Sequence, residues 1–396
     1  MSASHKKYHQ LRKEVIKQLY FNKMLTLTDL STRTHKSLPL VTSAVNDLVE
    51  DGYVIESGLA PSTGGRRAST FLLNSEKRRF IVSVAMDQLT TQVVIYDLMM
   101  NTIKQPEILE FPLTEDSADL TKLISFLKNY ISGSGIAAEE ILGIGIGMPG
   151  FVNAKQGINY TFFKLKGSAT LRGYLSKELG FHVYIDNDSS LIALAELKFG
   201  AGEGLKDVLV VNIGWGTGLG MIINGSIFRG HSGYAGEFSH IPLSDSNKLC
   251  SCGKRGCLEV DTSLLVLVER AKNEIAAGVS SKLAQSFKDV SKLPGDHFLE
   301  AAQAGDPLAV SILSEAAFLI GKGLATLIHI MNPELIVLGG RGSIAGKILM
   351  APVQHAINEF CIPRLAEQTT IAVSTLNTSS ELLGASILVV ENCEFA

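Results

Sequence analysis

The chain has 396 residues, a formal charge of −3, and 46% hydrophobic against 19% charged residues. That length allows two or three domains, and that composition excludes global disorder. The charge is uneven. Residues 1–80 carry thirteen Lys/Arg against seven Asp/Glu, and the remainder carries 23 against 32. A basic segment on an acidic body points to a polyanion partner for the small segment only.

Residues 1–7 run into a charged helical pattern without the apolar stretch of a signal peptide, so a cytoplasmic protein is expected. One uncharged stretch, 208–228, is long enough to span a bilayer. It holds five glycines with Asn212, Thr217 and Asn224, and reads as two strands of a buried core. No membrane insertion is expected.

Tyr8, Leu11, Val15, Ile16 and Leu19 recur at helical spacing within 5–21. A second short helix fits 28–34, with Leu27, Leu30 and Thr34 inward. A third begins near Ser37, an N-cap residue, with Pro39 in its first turn. It runs through Val41, Val45 and Leu48 and stops at Asp51-Gly52. Residues 53–55 and 69–73 then pair as a hairpin around a polar tip at 62–67. Three helices and a hairpin make a winged helix-turn-helix over residues 1–75. Its third helix would enter the DNA major groove and present Leu40, Thr42, Ser43 and Asn46 to bases or phosphates. Arg66 and Arg67, beside Gly64 and Gly65 at the tip, suit phosphates or a minor groove. A small helical dimerisation module would share the helix spacing, but the basic charge and the Gly-Gly-Arg-Arg wing favour DNA.

From Phe80 the pattern becomes α/β. Strands fit 80–86, 92–97 and 103–111, a helix 117–131, an apolar strand 141–148 before Pro149-Gly150, a short strand 183–185 and a helix 189–199. The second half repeats the plan. Strands fit 207–213, 219–223 and 226–228, helices 263–276 and 307–331, a strand 335–338 before Gly339-Gly340, and a last helix 380–390. Two three-strand meanders, each followed by α/β units, describe a duplicated α/β domain with a cleft between its halves.

Cys250, Cys252 and Cys257 fall within eight residues, with His240 ten residues upstream. Three thiolates and an imidazole, in a loop with glycines at 253 and 256, satisfy tetrahedral zinc. Four protein ligands leave no open position, so one structural Zn2+ per chain is expected. Cys361 and Cys393 read as isolated thiols. Asn187 and Asp188 open a helix after an apolar strand, Glu237 lies three residues before His240, and Glu259 two after Cys257. Carboxylates, an amide and an imidazole converging on the cleft would suit a polyhydroxylated ligand. Taken singly, Asp188 also fits an N-cap and Glu237 a surface charge.

These motifs resemble the ROK family of repressors and sugar kinases over nearly the whole chain. They are GIGIGMPG at 143–150, Asp186-Asn187-Asp188, NIGWGTGLG at 212–220, Glu237-Phe238-Ser239-His240, CSCGKRGCLE at 250–259 and IVLGG at 336–340. The resemblance implies an actin/hexokinase-like (ribonuclease H-like) body over 76–396. Its first lobe would cover about 80–200 and its second about 201–380, with the C-terminal helix returning to the first. It implies that Asn187, Asp188, Glu237, His240 and Glu259 bind a sugar, that Asp188 would be the general base in a kinase, and that His240 serves both zinc and sugar.

Two positions depart from that pattern. Ser239 replaces a family glycine. Asp87-Gln88-Leu89-Thr90-Thr91 lacks the glycines that kinases of the family set against ATP phosphates, although Gly216-Thr217-Gly218 remains. The wing, Gly65-Arg66-Arg67 with Ala68 in place of the usual proline, resembles the repressor branch. The expected protein is thus a repressor of carbohydrate-utilisation genes and not an enzyme. It would bind operator DNA as a homodimer or homotetramer, and a sugar or sugar phosphate in the cleft, with loops such as 151–166 setting sugar identity. The alternatives are an active ATP-dependent sugar kinase with a fused DNA-binding module, and a scaffold whose release from DNA is set by a transport protein.

Overall fold

Apolar side chains at every third or fourth position build the first unit. In the computed structural model, which describes residues 3–59, 68–165 and 167–395, helix α1 (Ala3–Asn22) turns Leu11, Val15, Ile16 and Leu19 inward. A short strand β1 (Met24–Thr26) follows, then α2 (Leu27–Thr34) and α3 (Leu38–Glu50), which cover it with Leu30, Val41, Val45 and Leu48. A reciprocal cap starts α2: Thr26 Oγ1 accepts from Asp29 N at 3.2 Å, and Asp29 Oδ2 accepts from Thr26 N at 3.0 Å. Ser37 holds the N-cap position of α3, but its hydroxyl makes no cap bond; Pro39 supplies the first turn instead. Strands β2 (Val54–Leu59) and β3 (Ser69–Leu73) form the hairpin, and β1 pairs with β3 as a third strand that is too short to show in the sequence pattern. Arg66 and Arg67 lie outside the described residues.

The first lobe takes β4 (Phe80–Met86), β5 (Thr90–Asp97), β6 (Thr102–Glu110), α4 (Leu120–Ser132) and β7 (Ile141–Met148). It continues with a small hairpin β8 (Val152–Asn153) and β9 (Ile158–Asn159), then α5 (Leu171–Leu179), β10 (Val183–Asn187) and α6 (Asp188–Phe199). The second takes β11 (Val208–Ile213), β12 (Thr217–Ile223), β13 (Ser226–Ile227), α7 (Glu259–Thr262), α8 (Leu264–Ala276), α9 (Leu283–Ser286), α10 (Pro294–Gln303) and α11 (Pro307–Met331). It ends with β14 (Leu335–Gly339), α12 (Met350–Phe360), α13 (Pro363–Ala366) and β15 (Thr370–Val373), and the last helix, α14 (Ser380–Asn392), returns to the first lobe. The sheets run β6-β5-β4-β7-β10 and β13-β12-β11-β14-β15. In both, the first three strands are antiparallel, the fourth pairs in parallel with the first, and the fifth in parallel with the fourth. The same topology occurs twice, as the repeated pattern requires. The uncharged stretch 208–228 is β11, β12 and β13, while α11 is long and apolar enough by composition to cross a membrane and packs Ile312, Leu313, Ile320 and Leu324 into the core.

Several elements are absent from the sequence reading: α5, α10, α12 and β15. Leu293-Pro294-Gly295 reads as a turn, yet Pro294 sits at the start of α10, where its missing N–H costs nothing. Gly295 is needed because a Cβ there would lie 2.7 Å from the ring of Trp215.

Helices α6 and α14 cross between the two sheets. The first packs on β11 and β12, the second on β4 and β7, and each packs on the other. Close approach depends on glycine: a Cβ on Gly145 would collide with the Ala385 carbonyl. The far end of α14 enters the N-terminal unit, whose apolar cluster includes Val389, Val390, Cys393 and Phe395. Lys17 Nζ donates to Glu391 O at 2.8 Å, Lys13 Nζ pairs with Glu394 at 2.8 Å, and Tyr53 donates to the Phe395 carbonyl.

Candidate functional site

Residues at or just after the carboxyl ends of β4, β7, β10, β11 and β14 meet in a cleft of about 480 Å³. The start of α6 forms its floor. Asn187 caps this helix: its Oδ1 accepts from Ser190 N at 3.1 Å and its Nδ2 donates to Gly150 O at 3.4 Å. Asp188 is therefore not the cap. Its Oδ1 accepts from Ser189 N at 2.7 Å and its Oδ2 from Asn212 Nδ2 at 3.2 Å. Burial pushes the Asp188 carboxyl up to about 6, with the charges of Asp87 and Glu259 adding to the shift. Asp186 has another task. It is fully buried and accepts Nη1 and Nη2 of Arg229 at 2.8 and 2.5 Å.

The opposite wall brings in Glu237, His240 and Glu259. His240 Nε2 lies 3.7 Å from Glu237 Oε2, and its Nδ1 4.0 Å from Glu259 Oε2. Glu259 opens α7 against Gly216, where a Cβ would sit 2.7 Å from its Oε1. Burial raises both carboxyls; for Glu259 the imidazole opposes the shift. Asn187, Asp188, Glu237, His240 and Glu259 thus line one cleft, although they come from both halves of the chain.

Directly beside them, His240, Cys250, Cys252 and Cys257 hold their ligand atoms within 4.8 Å of one another. His240 Nδ1 is 3.5 Å from Cys250 Sγ, and Cys252 Sγ is 3.6 Å from Cys257 Sγ. Bonds of about 2.3 Å to sulfur and 2.0–2.1 Å to nitrogen put tetrahedral donors about 3.5–3.8 Å apart. The four residues fit one metal ion. Nδ1 is the imidazole nitrogen turned to the thiols, and Nε2 is the one turned to Glu237.

At the end of the cleft beside Gly216 and Gly340, side chains fill the space. Asp87 Oδ1 accepts from Leu89 N at 2.8 Å and Thr90 N at 2.6 Å, which folds the β4–β5 connection back on itself. Arg341, directly after Gly339-Gly340, donates from Nη2 to Asp87 at 3.2 Å and from Nη1 to Asp296 at 2.6 Å. Its guanidinium lies 5.5 Å from the centroid of Trp215. Leu89 packs against the apolar core of the second lobe, and the Gln88 amide would be 3.3 Å from a Cβ on Gly216. Glu381, in the first turn of α14, also lines the cleft. Its Oε1 is buried and finds no hydrogen-bond partner among the described residues. Burial holds that carboxyl well above its ordinary range, reinforced by Asp188 and Asp87.

On α3, Leu40, Ser43 and Asn46 are exposed and Thr42 is half-buried. Two of the four already have partners: Thr42 Oγ1 donates to Leu38 O at 2.8 Å, and Ser43 Oγ lies 3.1 Å from the Tyr8 hydroxyl. Asn212, Arg229, Arg341 and Glu381 were not singled out from the sequence as site residues. For Arg341 one signal existed, a charged residue immediately after a strand that ends in two glycines.

Fold and site together define a two-lobed, hexokinase-like body joined to a winged helix-turn-helix. The ROK family model matches residues 83–392, and the chain belongs to the ROK family. It is 29% identical over 384 residues to a xylose repressor of Caldicellulosiruptor bescii, covering 96% of this chain and 94% of that protein. It is 32% identical over 271 residues to a glucokinase of Halalkalibacterium halodurans, covering 68% of this chain and 82% of that one. A crystal structure of a ROK family transcriptional regulator, a homologue of the Escherichia coli MLC protein, superposes with a TM-score of 0.77 at 24% identity, over 97% of this chain and 96% of that one. That likeness extends the shared fold through the N-terminal unit.

Proposed function

We propose that the chain is a sugar-responsive transcriptional repressor, with residues 1–75 reading operator DNA and residues 76–396 sensing the sugar. The observation that carries the sensor reading is Arg341, bridging Asp87 and Asp296 across the side of the cleft where ATP phosphates would sit. Both oxygens of Asp87 are engaged and no glycine opens that loop, so the body binds ligand without transferring phosphate to it. The full-length match to a xylose repressor supports the same reading, since the glucokinase match covers much less of the chain.

Sugar hydroxyls donate to Asp188, Glu237 and Glu259, and Asn187 and His240 complete the ring of partners. The sugar is uncharged rather than phosphorylated. Carboxylates dominate the described lining, and Arg341 is already paired twice. A structural zinc bound by His240, Cys250, Cys252 and Cys257 orients the imidazole and Glu259. Reading two half-sites takes at least a dimer, in the cytoplasm where operator DNA lies. Leu40, Thr42, Ser43 and Asn46 of α3, with Arg66 and Arg67 of the wing, meet that DNA.

The test pairs operator release with ATP turnover. Asp188→Asn and Glu259→Gln keep shape but change hydrogen bonding, so both should abolish sugar-induced release and leave sugar-free operator binding intact. A hundredfold preference of the sugar for the released state supplies about 2.7 kcal/mol, enough to reverse a modest bias. Sugar-dependent ATP consumption by the wild type, lost in Asp188→Asn, would make the body a kinase and overturn the reading.

A pH dependence follows from Asp188. A hydroxyl donates more strongly to the carboxylate than to the carboxylic acid, and this carboxyl titrates near 6. Affinity for a neutral sugar should therefore be weakest at pH 5 and rise through pH 6, and it should go on rising past pH 7 because burial pushes the Glu237 carboxyl up to about 7. Calorimetric titration that gives one affinity across that range would count against Asp188 as an acceptor.

A further inference from the structure

Three aromatic rings adjoin the cleft: Phe151 and Tyr234 line it, and Tyr160 packs against Tyr234. Phe151 follows Pro149-Gly150 at the end of β7, Tyr160 follows β9, and Tyr234 comes from the other lobe. Phe151 is 37% exposed and Tyr160 48%. Their rings make one continuous run outward from the sugar-facing imidazole. Phe151 lies parallel to His240 at 6.3 Å, Tyr234 meets Phe151 edge-on at 5.8 Å, and Tyr160 meets Tyr234 edge-on at 6.2 Å.

The shelf is held rigidly. Phe151 N donates to Thr161 Oγ1 at 3.0 Å, and Tyr160 N donates to Phe151 O at 2.9 Å. The Tyr160 hydroxyl donates to Gln156 Oε1 at 2.9 Å. Below them the buried Asn159 donates to Pro149 O at 3.0 Å and accepts from Thr161 N and Phe162 N. Large apolar rings kept in water by a braced hairpin, contiguous with a polar pocket, mark a ligand surface. The chemistry of that surface differs from that of the pocket: apolar ring faces set at right angles to one another, with the two tyrosine hydroxyls beside them. A pyranose ring has the matching form, with C–H bonds across its face and hydroxyls around its rim. The cleft of about 480 Å³ also exceeds what one such ring fills.

We infer that the cleft has a second sugar subsite, formed by Phe151, Tyr160 and Tyr234, and that the effector is a neutral disaccharide or longer oligosaccharide whose second ring stacks there. This inference rests on the sugar-sensor reading and adds a subsite to it. Deep in the cleft the first ring meets Asp188, Glu237 and Glu259; its glycosidic bond leads past His240, and the second ring covers Phe151.

Calorimetric titration of the full-length protein with xylose, xylobiose, glucose and cellobiose tests it, together with release of operator DNA by each. One disaccharide should bind about tenfold more tightly than its monosaccharide. Tyr160→Ala should erase that margin while leaving monosaccharide affinity and sugar-free operator binding unchanged; Phe151→Ala should also erase it, and Phe151→Tyr should keep it. Equal affinity for both members of each pair, or a loss in the alanine variants that is the same for both, would overturn the subsite and leave the sensor reading standing. Failure of all four sugars to bind would overturn the sensor reading and the subsite together.

Discussion

Stripping the metal from the loop between His240 and Cys257 should uncouple the sensor and expose that loop to protease. Besides the metal ligands, Lys248 Nζ pairs with Asp261 at 2.7 Å, Arg255 Nη1 donates to Asn247 O at 3.1 Å, and Ile241 packs on the second-lobe core. Two isolated bridges, Pro242 with Cys257 and Leu249 with Arg255, and a few turn hydrogen bonds are its backbone ties. Among the described residues, its own apolar cluster is no more than Cys250, Cys257 and Val260. A structural zinc contributes about 10–16 kcal/mol to the folding of small metal domains, far above what such ties supply. Cys257→Ser, at a fully buried ligand, should abolish stoichiometric metal and lower the melting temperature. It should also remove the sugar-dependent thermal shift, because His240 and Glu259 flank the loop. Trypsin gives a sharper readout, since Lys254 and Arg255 are exposed at its tip and should be cut rapidly only after metal loss. Metal-free protein with unchanged melting and an unchanged digestion pattern would remove the metal from the account.

The second large effect is expected at Arg229. Asp186 is fully buried, and the bidentate guanidinium is what makes its charge tolerable there. Arg229→Met should cost about 3–5 kcal/mol, the penalty for leaving a buried charge unpaired. The sign with pH is diagnostic. Burial already raises the Asp186 carboxyl above its ordinary value, and losing Arg229 would raise it further. A carboxyl raised in the folded state favours the protonated form, so the deficit should be full at high pH. It should shrink as pH falls through the raised value toward 4. Pairing the change with Asp186→Asn should recover part of the loss at pH 7. Urea melts of the single and double variants at several pH values decide it; a deficit that grows on acidification would contradict the pairing.

What could be read from the sequence was what neighbouring residues encode. The strand at 141–148 is a run of apolar residues and glycine buried along its whole length, and its limits agree with the structure. The metal ligands fall within eighteen residues of one another, and spacing alone groups them. Arg341 was hidden for the opposite reason. Its partners Asp87 and Asp296 lie 254 and 45 residues away, and a lone arginine after two glycines says nothing of either. Helix α10 was hidden because Pro-Gly is a turn signal by propensity and a helix start by position. The aromatic shelf required two lobes to meet, so Phe151 and Tyr234 are distant in sequence and neighbours only in the fold.

Helix α14 makes the order of synthesis matter. The N-terminal unit is the first to leave the ribosome, yet Val389, Val390, Cys393 and Phe395 complete its core, and Lys13, Lys17 and Tyr53 find partners among residues 391–395. At about 5–20 residues per second, the roughly 320 residues between that unit and its last core residues leave it unfinished for about 16 to 64 seconds. A nascent chain therefore carries an incomplete DNA reader until its sensor has been made in full. A chain ended early by a nonsense codon or a stalled ribosome lacks the residues that close the reader's core, so operators are left to polypeptides that can also respond to the sugar.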